Sequence, residues 1–451
     1  MAAPERAQWR SHFGFLMAAS GSAVGLGNLW KFPYLAGKNG GGVFVLVYII
    51  ILMLVGFTIM LGEMVVGRAT QRNSYGAYRQ LNRKWSWVGG MGVLAGFFIL
   101  GFYSVIGGWV MRYILVYLTP ATHQTPSEFF TSFITHPWYP LLFLALFVLS
   151  NLFIVYRGIA SGIEAYSQVL MPGLFILLLI IVIRSVTLDN AMEGIRFYLM
   201  PDWSQFKAST IVAALGQVFF SLSLGMGCMI TYGSYLNKEE NLAQNALIVP
   251  SIDTLVALLS GFAILPAVFA FNYEPSAGPS LMFITLPEVF NKMPLSHLFG
   301  FIFFLLVFFA ALTSSISLFE VTIAYVVDEF NWKRGRAVAV LGLIVFLLAI
   351  PCSLSFGPMK DATLFGLTFF DLLDFLASNI MLPLGGLLLA IFIGYVWGVD
   401  KAVGEIVQNG KHSFPLKRIW IILIKYLAPA ALIIVFLDAT GLFKWFLSAI
   451  G

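Results

Sequence analysis

Residues 20–33 read Ser-Gly-Ser-Ala-Val-Gly-Leu-Gly-Asn-Leu-Trp-Lys-Phe-Pro, inside an apolar segment long enough to span a bilayer. Glycines there disfavour helix, while serine and asparagine carry polar groups into an apolar solvent. Non-helical backbone at membrane depth survives only where it lines a cavity and something satisfies the freed amides and carbonyls. A bound cation and a bound carboxylate would do both. The stretch therefore points to a membrane transporter with a small-molecule site near residues 21–28.

Composition agrees, with 59% apolar and 10% charged residues, which argues against a soluble fold of this size. Apolar stretches long enough to span lie at roughly 13–36, 43–67, 88–118, 139–156, 159–184, 208–235, 242–271, 296–327, 337–355, 365–397 and 418–438. The expected fold is an all-α membrane protein of about 11 transmembrane helices; the final stretch, 441–451, is too short to span. With the N-terminus inside, the inner segments hold Arg6, Arg10, Arg68, Arg72, Arg79, Arg83, Lys84, Arg157, Lys238, Lys333, Arg334, Arg336, Lys401, Lys411, Lys417 and Arg418. That majority of the 26 basic residues predicts a cytoplasmic N-terminus and, after eleven spans, an outside C-terminus. The formal charge of +5 follows from this topology and gives no sign of nucleic acid.

Arg6, Trp9, Arg10 and His12 precede the first apolar run, and no small-residue cleavage site follows it, so no cleavable signal is expected. Cys228 and Cys352 both fall in spans, which excludes an external disulfide framework. No Asn-x-Ser/Thr sequon occurs, and a bacterial inner membrane fits better than an animal plasma membrane. His12, His123, His136, His297 and His412 lack metal-ligand spacing, and no nucleophile–His–Asp grouping is evident, so no enzyme is expected. Apart from the lipid bilayer, no obligatory partner is expected.

A second break stands at 216–228, Gly-Gln-Val-Phe-Phe-Ser-Leu-Ser-Leu-Gly-Met-Gly-Cys, opening the sixth span as the first break opens the first. Five spans per half make the halves inverted, and interrupted segments in corresponding positions mark a transport site. Close helix packing is the alternative use of such glycines. The eighth span adds Leu312-Thr313-Ser314-Ser315-Ile316-Ser317, whose hydroxyls could complete an oxygen-only cation site of the kind Na⁺ takes. Isolated hydroxyls in such a helix more often bond their own backbone.

These motifs, with Asn39-Gly40-Gly41-Gly42, Glu63 and Gly67-Arg68, Tyr103, Tyr232 and Tyr235, Gly162 followed after nine intervening residues by Pro172, and Asp328, resemble the neurotransmitter:sodium symporters, in particular their bacterial amino-acid branch. The resemblance implies a LeuT-like fold: two inverted five-helix repeats, with helices 1 and 6 unwound at mid-membrane. The implied organisation is a cytoplasmic segment at 1–12, repeats at 13–184 and 185–397, and an eleventh helix with tail at 398–451. Many relatives have a twelfth helix, and none is expected within these residues.

Carried over residue by residue, the resemblance implies two sodium sites. The first would use the Ala23 carbonyl, Asn28, Ser221, Asp253 and the substrate's carboxylate. The second would use the Gly21, Val24 and Ala310 carbonyls with Thr313 and Ser314. The substrate carboxylate would meet the Leu26 and Gly27 amides and Tyr103, and its ammonium the carbonyls of Ala23, Phe220 and Ser221 and the Ser223 hydroxyl. Helix-terminus dipoles suit both ends. Ile99, Tyr103, Phe220, Met226 and Leu318 would wall the pocket, with Ser223, Ser314 and Ser317 at its edge. Lys31 with Asp374 resembles the outer gate, though relatives often carry arginine at the first position. Arg6 with Asp328, beside Trp9, resembles the inner gate. Glu63 is expected to be structural, accepting bonds from the amides freed in helix 6; Asp371 is either an outer-vestibule residue or a solvated helix end. Chloride-using animal relatives have asparagine where Asp253 stands. A fixed aspartate would supply that negative charge, so no chloride requirement is expected; a protonated or water-solvated aspartate is the other reading. The expected function is Na⁺-coupled import of neutral hydrophobic L-amino acids by alternating access. A sodium-dependent sensor of the same fold, binding but moving little, is the alternative, and a channel stands third.

Overall fold

The computed structural model describes residues 6–119, 124–273 and 280–441, and these are helical throughout their ordered elements, with no strand among them. Residues 1–5 of the N-terminal segment, His123 and residues 442–451 of the tail lie outside the described residues. Among the described residues nine helices are long and apolar enough to cross a membrane: Gly42–Thr70, Arg83–Leu118, Tyr139–Tyr156, Ile159–Val186, Leu242–Ala270, Ser296–Phe330, Arg334–Leu354, Phe369–Val407 and Lys417–Ala439. The first and sixth spans are present as well, but in pieces. The first runs His12–Ala23, breaks at Val24 and Gly25, and resumes through Gly27–Lys31 and Phe32–Lys38. The sixth runs Ala208–Ser221, turns over 222–227, and resumes at Cys228–Gly233.

Several boundaries outrun the apolar stretches. The third span starts at Arg83, the eighth ends at Phe330, and the tenth continues past a bend at Gly398 (φ 101°) to Val407. Short helices that cross nothing were not foreseen: Ser74–Leu81 at the Arg6 end, and Pro126–Thr135, Ala191–Leu199 and Leu286–Asn291 at the other.

The third and eighth spans form the centre, with 83% and 72% of their apolar windows buried, against 28% for the fifth and 39% for the ninth and eleventh. The eighth packs along the third and also against the first and fifth. Ser11 caps the first helix by accepting from the Gly14 amide, which fixes where that helix begins.

The break in the sixth span has a steric cause. Ser223, Gly225 and Gly227 all take positive φ, at 54°, 84° and 77°. A Cβ on Gly225 would stand 2.2 Å from the Leu382 carbonyl of the tenth span, so only glycine lets the two backbones meet. Amides freed by the turn are then served from the second span. Glu63, fully buried, accepts from Gly225 at 2.7 Å and Met229 at 3.1 Å.

Candidate functional site

The two breaks face each other across a cavity at the centre of the bundle, lined by Ser22, Ala23, Gly25, Leu26, Gly27, Asn28, Ile99, Tyr103, Phe220, Ser221, Ser223, Met226, Ser314 and Leu318. Every residue that the sequence placed against the substrate is in this lining. Ser317 is not; it lies one layer behind, accepting from Ser22 at 2.7 Å and donating to the Ser314 carbonyl at 2.7 Å. At one end of the cavity the Leu26 amide points at the Tyr103 hydroxyl, 3.4 Å away. The Gly25 amide donates to Asn28 Oδ1 at 3.1 Å, which folds the break into a loop. A Cβ on Gly25 would stand 2.6 Å from Ser314 Oγ, so no larger residue fits without displacing that hydroxyl.

Beside the loop, four oxygen-bearing side chains converge. Asn28 Nδ2 donates to Asp253 Oδ1 at 2.7 Å and to Ser221 Oγ at 3.0 Å. The Ser221 hydroxyl lies 2.9 and 2.8 Å from the two Asp253 oxygens, and the Tyr48 hydroxyl donates to Oδ2 at 3.3 Å. Asp253 is fully buried, and among the described residues no lysine or arginine pairs with it. A buried carboxylate with neutral donors alone is costly, and a small cation offsets that cost directly. Turning the Asn28 amide about χ2 would present its oxygen to the same point.

A second oxygen cluster joins the first and eighth spans. Ser314 Oγ donates to the carbonyls of Val24 at 3.0 Å and Gly21 at 3.3 Å. Thr313 Oγ1 donates to Ala310 at 3.1 Å and Phe309 at 2.9 Å. Gly21 permits the approach, since a Cβ there would lie 3.0 Å from Thr313 Cβ. The set contains carbonyl and hydroxyl oxygens and no carboxylate, a donor chemistry suited to a hard monovalent cation.

The two ends of the path differ. At one, Arg6 pairs with Asp328 at 2.6 Å and donates to Ser234 at 2.8 Å. Trp9 Nε1 donates to the Tyr232 carbonyl at 3.1 Å, and its ring meets the edges of Tyr232 and Tyr235. Burial works against the Arg6 charge, but Tyr235 and Asp328 outweigh it and raise its pKa, so the guanidinium stays charged. At the other end, Lys31 and Asp374 make no ion pair. The Lys31 ammonium instead sits 4.1 Å above the Phe220 ring, and Asp374 accepts from Ser378 at 2.7 Å. A lysine lacks the fork that would hold a carboxylate two ways. Asp371 is exposed in the first turn of the tenth span, bonded to Thr368.

Two buried carboxylates escaped the sequence reading. Glu164, in the fifth span, accepts from the Arg10 and Ser11 amides at 2.8 and 3.1 Å and from the Ser11 hydroxyl at 2.8 Å. Glu320, in the eighth, pairs with Arg334 at 2.5 Å and accepts from Tyr235 at 2.7 Å. Each is a lone acid in an apolar run, the same signal that singled out Glu63.

The profile of the sodium:neurotransmitter symporter family matches residues 6–126 and 131–444. The uncharacterized sodium-dependent transporter YhdH of Bacillus subtilis is 41% identical, over 97% of this chain and 98% of that protein. An uncharacterized sodium-dependent transporter of Haemophilus influenzae is 40% identical, over 96% and 98%. The crystal structure of MhsT in complex with L-phenylalanine matches with a TM-score of 0.89 and 44% identity, covering 96% of this chain and 100% of that one. The architecture is therefore the LeuT-like one, two inverted five-helix repeats with helices 1 and 6 unwound. Paired breaks, oxygen clusters and these matches lead to one assignment: the chain is a multi-pass, sodium-coupled transporter of a small molecule, and it belongs to the sodium:neurotransmitter symporter family.

Proposed function

We propose that the chain imports neutral, apolar L-amino acids, aliphatic and aromatic, with two Na⁺, across a bacterial inner membrane in which its N-terminus is cytoplasmic and its C-terminus outside. The observation that carries the reading is the buried Asp253 carboxylate, without a basic partner among the described residues, beside an unwound backbone. The first Na⁺ would be held by Asp253, Asn28, Ser221, the Ala23 carbonyl and the ligand's own carboxylate. Cation and amino acid then stabilise each other in one site, which is coupling. The second Na⁺ would be held by the Gly21, Val24 and Ala310 carbonyls with Thr313 and Ser314, tying the first span to the eighth.

Substrate class follows from the walls. Ile99, Phe220, Met226 and Leu318 offer apolar surface, and no charged side chain lines the cavity. An acidic or basic ligand side chain would therefore bury an unpaired charge. Met226, flexible and polarizable, can repack around aliphatic and aromatic shapes alike. Gly25 leaves no carboxylate to stand in for the ligand's, so the ligand must bring its own. Two Na⁺ entering with a zwitterion move two charges, each contributing about 2.3 kcal/mol per 100 mV.

Binding of labelled tryptophan to the purified protein, with and without Na⁺, tests the reading. Leucine, valine and phenylalanine should compete, and tryptamine and lysine should not; competition by tryptamine as strong as by tryptophan would sink it. Counterflow in proteoliposomes separates transport from sensing, because a sensor binds saturably and shows no exchange.

A further inference from the structure

At the end of the bundle opposite Arg6, a cavity of ≈ 370 Å³ opens between the third span, the helix Pro126–Thr135 and the start of the fourth span. Arg112, Phe129, Ser132, Phe133, His136, Tyr139, Leu142 and Phe143 line it. The Arg112 guanidinium lies 5.4 Å from the Phe129 ring centroid and 5.8 Å from that of Phe143. Among the described residues no carboxylate pairs with it. Its N–H groups have no hydrogen-bond acceptor among the described residues, and the two rings are its near neighbours.

His136 adds a second donor. Its Nδ1 accepts from the amides of Trp138 and Tyr139, both at 3.2 Å, so in the neutral ring the proton resides on Nε2. The polar groups of the cavity thus include a fixed cation and an imidazole N–H, while Phe133, Leu142 and Phe143 supply an apolar wall. Trp138 and Tyr139 are 73% and 58% exposed at the start of a span, the position of an interfacial aromatic belt.

We propose that this cavity binds an anionic phospholipid, its phosphate on the Arg112 fork and His136, one acyl chain along Leu142 and Phe143. The guanidinium matches a phosphate two ways, and a zwitterionic headgroup would place its own cation against the same pocket. Free phosphate would leave the apolar wall unused. Bound there, the lipid bridges the third span, the crossing-free helix and the fourth span.

Native mass spectrometry of the full chain, titrated with phosphatidylglycerol, phosphatidylcholine of the same chains, or glycerophosphate, tests this. One phosphatidylglycerol should be retained about tenfold more tightly than phosphatidylcholine, and glycerophosphate should not displace it. Arg112→Gln should abolish the tenfold preference, about 1.4 kcal/mol, while Arg184→Gln on the fifth span should leave it intact. Equal retention of the two lipids, unchanged preference in Arg112→Gln, or displacement by glycerophosphate would each overturn the proposal. Should Arg112→Gln not fold, a phosphatidylglycerol with a photoreactive chain decides the matter on the unaltered protein. Labelling of the Leu142–Phe143 segment supports the site, and labelling only elsewhere overturns it.

Discussion

Gly25→Ala is a small change with a calculable consequence. The new Cβ would stand 2.6 Å from Ser314 Oγ, 3.2 Å from the Tyr103 hydroxyl and 3.4 Å from Ser314 Cβ. Only the first of these is impossible, so the hydroxyl must leave. It then surrenders its contacts with the Val24 and Gly21 carbonyls, at 3.0 and 3.3 Å. The hydroxyl has one proton, shared between the two carbonyls, so the contact is worth about 0.5–1.5 kcal/mol net. With 1.4 kcal/mol per factor of ten, sodium-dependent binding should weaken by about 2- to 12-fold. Ser314→Ala removes the same contacts and should cost about as much. In that background the clash is gone, and the remaining neighbours at 3.2 and 3.4 Å require shifts of only a few tenths of an ångström. The double variant should therefore be little worse than either single one, a coupling of about 0.5–1.5 kcal/mol. Sodium titrations of labelled-tryptophan binding on the four proteins measure it. Additive losses, or wild-type sodium dependence in Gly25→Ala, would refute the placement of Ser314 at a cation.

Transport should proceed equally with gluconate in place of chloride, and Asp253→Asn should make uptake respond to chloride; a wild-type protein inactive without chloride contradicts the charge argument. Met226→Phe should fill the cavity and weaken the bulky aromatics most in competition assays, and an unchanged ranking would mean that Met226 does not face the ligand. Glu63→Gln keeps one acceptor oxygen where two amides need serving, so it should lose about 1.5–3 kcal/mol of stability. A melting temperature equal to that of the wild type would show that other groups serve Gly225 and Met229.

Both breaks were legible because glycine and polar residues inside apolar runs leave few physical options. The fourth span, 139–156, could be bounded from hydropathy alone, since Pro140 and Arg157 punctuate it. The tenth could not. Asp400 and Lys401 end its apolar run, yet the helix passes Gly398 and continues to Val407. The cavity lining was legible through the family resemblance, which supplies long-range pairings such as Asn28 with Asp253 that periodicity does not encode. Glu164 and Glu320 were open to the same argument as Glu63, an acid inside an apolar run needing a partner. What hid their roles is that the partners, Arg10 and Ser11 for one and Arg334 and Tyr235 for the other, lie on separate elements. The unpaired state of Lys31 and Asp374 was not legible either, because sequence reports residue types and not where their side chains lie.

The seal at the Arg6 end has a thermodynamic character of its own. Apart from Trp9, its contacts join groups that water serves nearly as well: Arg6 with Asp328 and Ser234, Asn73 with Asp328, and Glu164 with the Arg10 and Ser11 amides. Parting such a seam exchanges protein hydrogen bonds for hydration, at about 0.5–1.5 kcal/mol net for a neutral pair and somewhat more for a charged one. A seam of interdigitated leucines would expose apolar surface instead and stay shut. Swinging an equilibrium from 1:99 to 99:1 takes about 5.5 kcal/mol of differential affinity, a quantity within reach of bound cargo. On the proposed alternating-access reading, with Arg6 and Asp328 as an inner gate, such a polar seam would be a wettable joint, opened by a modest change in what the centre of the protein holds.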